Sequence, residues 1–299
     1  MRFRILVFAA LLFLGPLTGC IEFERQTVTY SYDTSTDTLR IYQDYNGIFG
    51  GDNRQGLSRE ELNQLDSVLG SQRTFFFANW ISEISHEQLR DKLKEIRTAE
   101  YQKEQKLEPA AREHLEVLIK RLIEDVHIEN GPFYQDKEGK LSGVQRVTIN
   151  KASQLINAGN VCIRDAFKAE ASDEKAKPEE KRLYLKSIGR QQDYIKIEGN
   201  RITVSFPATK DQIEENTNGS EKTRAAIEAF RKAGGTLTFT NDEVMVTFGK
   251  PSDKLTSLTL SVSDETYSTN LVETIKSRSL LKADLDRRAD AARFFGAGR

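Results

Sequence analysis

The groups in this 299-residue chain able to attack a carbonyl, hold a metal or carry a proton are two cysteines, three histidines and 45 acidic residues. A cysteine nucleophile acts as the thiolate, which a nearby histidine stabilises. Cys162 lies in "NAGNVCIRDAF", whereas His86, His114 and His127 all come earlier, so no local spacing pairs thiol with imidazole. A lone thiol in such a stretch packs as a small hydrophobe, and Cys162 is expected in the core. Which carboxylates converge in space depends on the fold, so a general acid and base cannot be paired by spacing.

Other chemistry fails on spacing. "HEQLR" at His86 lacks the second histidine of a zinc-protease helix, and His114 and His127 have no ligand-type neighbours. No phosphate-binding loop, dinucleotide fingerprint or nucleophile elbow occurs. "SLLK" at Ser279 has the Ser-x-x-Lys spacing of penicillin-recognising enzymes without their Ser-Asp-Asn or Lys-Thr-Gly elements. "GGDNRQGLSREEL" has an EF-hand outline. With Glu61 as last ligand, however, Gly50 and Arg54 fall where oxygen ligands are needed, and the turn glycine is one place late. No catalytic residue, metal ligand or cofactor is therefore assigned.

Cys20 is different. Met1-Arg2-Phe3-Arg4 carries two positive charges, the apolar run Ile5 to Leu14 follows, and Gly15-Pro16 breaks it. This is the secretory pattern, too short to span a bilayer. Leu17-Thr18-Gly19-Cys20 resembles the lipobox of bacterial lipoproteins at all four positions. The resemblance covers residues 1–20 and no more. It implies cleavage between Gly19 and Cys20, a diacylglycerol on the Cys20 sulfur, and acylation of the new amine. Two or more acyl chains give stable anchoring, each buried methylene adding about 0.8 kcal/mol. The expected location is the bacterial cell envelope, held to the membrane through Cys20. Ile21 in the following position implies the periplasmic face of the outer membrane in a Gram-negative source.

The mature chain, Cys20 to Arg299, has 280 residues, with 42 basic against 45 acidic once Arg2 and Arg4 are removed. Such balance argues against nucleic acid as partner and against a polybasic membrane patch. An envelope protein is the partner class left open.

The elements read as α+β, antiparallel hairpins packed with amphipathic helices after an N-terminal signal helix. "QTVTYSYD" and "TLRIYQDY" predict a hairpin pairing Tyr32 with Leu39 and Tyr30 with Ile41. Its start near Thr27 leaves Ile21 to Gln26 as a tether reaching about 20 Å. Ser58 with Glu61, and Ser85 with Gln88, are capping boxes. "TFFFANWI" predicts a central strand, Pro109 the first turn of a helix, and that helix a hairpin with its predecessor. Strands are predicted on either side of "DKEGK", and Asn150 caps a helix through Cys162. Gly199-Asn200 predicts a turn pairing Ile197 with Ile202 and Ile195 with Val204. Asn241-Asp242 does the same for Phe239 with Val244 and Leu237 with Val246. Ser220 caps a helix ended by Gly234-Gly235, "LTSLTLSV" adds a strand, and Asn270 opens a closing helix holding Leu281 and Leu285.

The expected organisation is a signal peptide over 1–19, an α+β region over 20–170, a charged linker or solvated helix face over 171–183, and a second α+β region over 184–299. The expected role is a non-catalytic binding or structural module on the envelope. Two alternatives stand beside it. An anchored hydrolase of envelope polymers would need a cleft with carboxylates of raised pKa. A lipid or hydrophobic-ligand carrier would need an apolar cavity between sheet and helices.

Overall fold

A computed structural model describes residues 21–50, 59–72, 85–98, 101, 108–190, 193–210, 212, 227–228, 230–232, 234–261, 281–282 and 285–296. The signal segment with Gly19 and Cys20, the Ser58 cap, "TFFFANWI", the Ser220 cap, Asn270 and Ser279 lie outside them. The fold is α+β, with two antiparallel sheets and helices packed against them.

The first sheet has the order β3-β4-β2-β1-β9, with β1 Ile21–Asp33, β2 Thr38–Gly50, β3 Val126–Gln135, β4 Leu141–Asn150 and β9 Thr256–Ser261. Tyr32 pairs with Leu39 and Tyr30 with Ile41, as the alternation predicts. β1 does not start at Thr27, however. It starts at Ile21, and Ile21 and Phe23 are buried at 7% and 1% exposure. They pack with Tyr45, Ile48 and Phe133 against Leu62, Leu65 and Val68 of helix α1, Arg59–Leu69. The expected tether is therefore strand. Opposite Glu24, Gly47 has φ +66°, and a Cβ there would lie 2.6 Å from the Glu24 side chain. That conformation favours glycine, and any larger residue would also have to displace the Glu24 side chain.

A carboxamide ladder crosses this sheet. Gln26 donates to Gln43 (2.6 Å), Gln43 to Gln145 (3.0 Å) and Gln145 to Asn130 (2.5 Å). Each neutral amide both donates and accepts, so the row satisfies most of its buried polar atoms without charge. Asn130 ends it on the carbonyls of Val68 and Ser71, tying down the end of α1.

Helices α2, His86–Glu95, and α3, Pro109–Glu124, form the predicted hairpin over a core of Ile96, Tyr101 and Ile119. Ser85 accepts from the Gln88 amide, and Pro109 stands in the first turn of α3. Helix α4, Ala152–Ser172, follows β4, but Asn150 does not cap it. Asn150 is the last residue of β4, paired with Thr38, and Lys151 turns the chain at φ +50°. The cap comes from the tip of the β1–β2 hairpin: Asp37 accepts from the Ser153 amide (2.9 Å) and hydroxyl (2.6 Å). A carboxylate at a helix N-terminus meets unpaired amides and the positive end of the dipole, which a local asparagine would satisfy less well.

Residues 171–183 comprise the end of α4, a turn at Asp173, and the first half of helix α5, Pro178–Gly189. The second sheet has the order β5-β6-β8-β7, with β5 Ile195–Glu198, β6 Arg201–Phe206, β7 Thr236–Phe239 and β8 Val244–Phe248. All four predicted pairs are present: Ile197 with Ile202, Ile195 with Val204, Phe239 with Val244 and Leu237 with Val246. Asn160 of α4 closes the edge of β5 by bonding both the amide (2.8 Å) and carbonyl (2.9 Å) of Ile195. Strand β9 leaves this sheet and pairs with β1, so both regions of the chain share the first sheet. The closing helix differs from expectation. Leu281 bridges edge strand β3 at Phe133, and helix α6, Arg287–Gly296, begins only beyond Leu285, with Asp286 accepting from the amides of Arg288 and Ala289. Pairing with an open edge satisfies backbone groups that a helix would otherwise have held internally.

Candidate functional site

The apolar stripe of α3 (Leu115, Ile119, Leu122 and Ile123) packs inward, which places His114, Val117 and Arg121 along an adjacent face. Asn157, Ala158 and Val161 of α4 face them across a groove of about 510 Å³. At one end Asp165 Oδ2 and His114 Nδ1 are hydrogen-bonded at 2.6 Å. The Asp165 side chain is 15% exposed and that of His114 43%, so a largely buried carboxylate positions an imidazole at the groove wall. At the other end Arg121 pairs with Asp125 at 2.8 Å.

Cys162 lies on α4 about one turn before Asp165, close enough to feel its charge. The thiol is not activated. Burial pushes it up to about 11, and the Asp165 charge adds to the shift. At neutral pH that leaves about one thiolate in 10⁴. The hydroxyl of Ser153 also borders the groove, but it is bonded to Asp37, and twelve residues of helix put it about 18 Å from Asp165. The imidazole, held by Asp165 and partly exposed, can hydrogen-bond to a group entering the groove.

A second polar cluster lies beneath α6. Asp44 accepts from Tyr134 (2.5 Å) and Arg287 (2.5 Å), while Asp290 accepts from Tyr42 (2.9 Å) and Arg146 (2.5 Å). The two triads are reciprocal: one takes its arginine from the helix, the other its aspartate. Burial foremost, then the adjacent aspartate, pushes both tyrosines far above their ordinary range, so they remain donors. Phe294 and Phe295 pack beside Tyr42 and complete the contact. Each ionic group here is matched, which makes the cluster a clamp for the helix.

The other sequence candidates are scattered. His86 is 4% exposed, and burial, then Arg90, pushes its imidazole down, so it stays neutral inside the fold. His127 is exposed on β3. Of the EF-hand outline, Gly50 ends β2 and Glu61 is buried on α1. Among the described residues no three His, Cys, Asp or Glu side chains are grouped to hold a metal ion, and no helix is long and apolar enough to cross a membrane. No family model, curated protein or solved structure matches this chain.

The pairing of His114 with Asp165 is the contact that spacing could not reveal, because the two are 51 residues apart on different helices. Among the described residues, the carboxyl groups that depart from their ordinary range do so in one direction. Asp33, held by Ser35, Glu138, held by Lys140, Glu198, held by Arg201, and Asp242, held by Lys186, all lie below the ordinary range. Burial raises Asp37, but the bonds from Ser153 and Tyr32 outweigh it. A glycosidase acid needs the opposite shift.

Proposed function

We propose that this chain is a lipid-anchored protein of the bacterial envelope that works by binding rather than by catalysis. The observation that carries the reading is the lipobox-like Leu17-Thr18-Gly19-Cys20, one residue before a buried strand. The described strand β1 starts at Ile21, the residue after the one that would carry the anchor. Three features favour binding over the alternatives. Among the described residues the carboxyl groups that depart from their ordinary range are lowered, the Cys162 thiol is protonated at neutral pH, and the space between first sheet and α1 is filled by Phe23, Tyr45, Ile48 and Leu65. The groove between α3 and α4, where Val117, Ala158 and Val161 stand among His114, Arg121 and Asn157, suits a mixed apolar and polar surface of an envelope protein partner.

The test is the mature N-terminus. Mass spectrometry of the protein extracted from bacterial membranes is expected to show Cys20 as the first residue, carrying diacylglycerol and an acylated amine. An unmodified peptide still joining Gly19 to Cys20 in the mature protein would overturn the reading.

A further inference from the structure

Resting on the anchor reading above, we infer that the bilayer surface is a standing partner of one defined end of this domain. Lipid on Cys20 leaves no tether. Ile21 is the next residue, its Cα about 3.8 Å further along the chain. Ile21 is already strand, bonded opposite Gly50 and buried under α1. A headgroup layer is about 5–8 Å thick, so the acyl–headgroup boundary and the start of β1 are closer together than one small side chain and one headgroup. The domain has no slack with which to stand off.

Topology decides which end this is. β1 starts where β2 ends, and β4 starts beside the end of β2, so the Asp136–Lys140 turn shares the end with Ile21. Lys140 locks the turn to β1 through Glu24 (2.7 Å) and holds Glu138 at 3.0 Å. Among the described side chains at this end, Glu24, Arg25, Asp136, Lys137, Glu138 and Lys140 are three acids and three bases. Such a rim lies against headgroups without repelling anionic lipid and without needing it, so the acyl chains alone supply the attraction. The opposite end carries the β1–β2 turn at Thr34, the capped start of α4 and the Gly199–Asn200 turn. β1 has 13 residues, which separates the two ends by about 40 Å.

The experiment uses lipidated full-length protein, carrying Cys162→Ser, in phosphatidylethanolamine–phosphatidylglycerol vesicles doped with a headgroup spin label. A fluorophore is placed at Lys137→Cys or Thr34→Cys, both exposed positions. Quenching at 137 is expected to be several-fold stronger than at 34, and unchanged by high salt. A long Gly-Ser segment inserted between Cys20 and Ile21 should abolish the difference while vesicle flotation persists. Lipidated, floating protein with equal quenching at both positions, or stronger quenching at 34, overturns the end-on contact and leaves the anchor intact. Absence of lipid on Cys20 by mass, with no flotation, overturns the anchor and this inference together.

Discussion

The Tyr30 hydroxyl donates to the backbone oxygen of Asn200 at 2.9 Å, and Asn200 Oδ1 accepts the Tyr32 amide at 2.7 Å. Tyr30 also donates to the Phe248 carbonyl (3.1 Å) and packs on the Phe248 ring. One turn residue, 2% exposed, thus clasps the second sheet to the first. Tyr30→Phe is expected to cost about 1 kcal/mol, because a shared bond is lost while Asn200 keeps a weaker one from Thr256. Tyr30→Ala should cost about 3–5 kcal/mol by emptying the contact between sheets. Urea melts of the two variants check the order.

The turn itself gives a second expectation. Gly199 has φ +54°, and a Cβ there would meet the Pro251 oxygen at 2.3 Å. Gly199→Val is expected to destabilise by about 3 kcal/mol or more, combining backbone strain with a clash against backbone. Glu198→Ala, at the exposed tip, should leave the melting curve where it was. Ile197→Ala, half-buried, should fall between them at about 1–3 kcal/mol. Equal damage from Glu198→Ala and Ile197→Ala would contradict the register.

The reciprocal triads under α6 predict non-additivity. Asp290→Ala leaves the buried Arg146 with the exposed Glu129 and the Gly131 carbonyl as its remaining partners, and is expected to cost about 2–4 kcal/mol. Adding Arg146→Met should recover part of that loss, since the less well compensated charge is gone. A double-mutant cycle in urea measures the coupling; simple addition of the two losses would mean the pair is not buried as described.

Cys162 should react slowly with thiol reagents at neutral pH, and its rate should climb with pH toward about 11, its shifted pKa. Cys162→Ala should lower stability modestly and spare any binding by the groove. Rapid neutral labelling of the native protein would reopen the nucleophile.

Alkali should unfold the protein. Burial foremost pushes Tyr30 and Tyr184 up to about 12, from 10.0 when unfolded, so the folded state holds protons that the unfolded state releases. Their contribution is fully present below pH 10 and falls as pH rises from about 10 to 12. Tyr42 and Tyr134 shift the same way. Circular dichroism and tyrosinate absorbance followed together should show one cooperative transition in that window. Tyrosinate appearing near pH 10 with the fold intact would refute the burial.

The hairpin registers were legible residue by residue. Tyr30 opposite Ile41, Ile197 opposite Ile202 and Phe239 opposite Val244 follow from period-two alternation around short turns, and both are local properties. The α2–α3 hairpin was legible for the same reason, through Ser85, Pro109 and the stripe around Ile119. Ile21 and Phe23 were not: their burial depends on Leu62 and Leu65 of a helix 40 residues on, which a short apolar-charged alternation cannot announce. Asp37 capping α4, β9 crossing to β1, Asp165 orienting His114, and Asp44 and Asp290 binding α6 share that character. Local propensity and turn chemistry act over a few bonds and can be read from neighbours. Which buried acid meets which base is settled only when the apolar faces close together, because desolvation makes an unmatched charge costly and leaves the matched arrangement as the stable one.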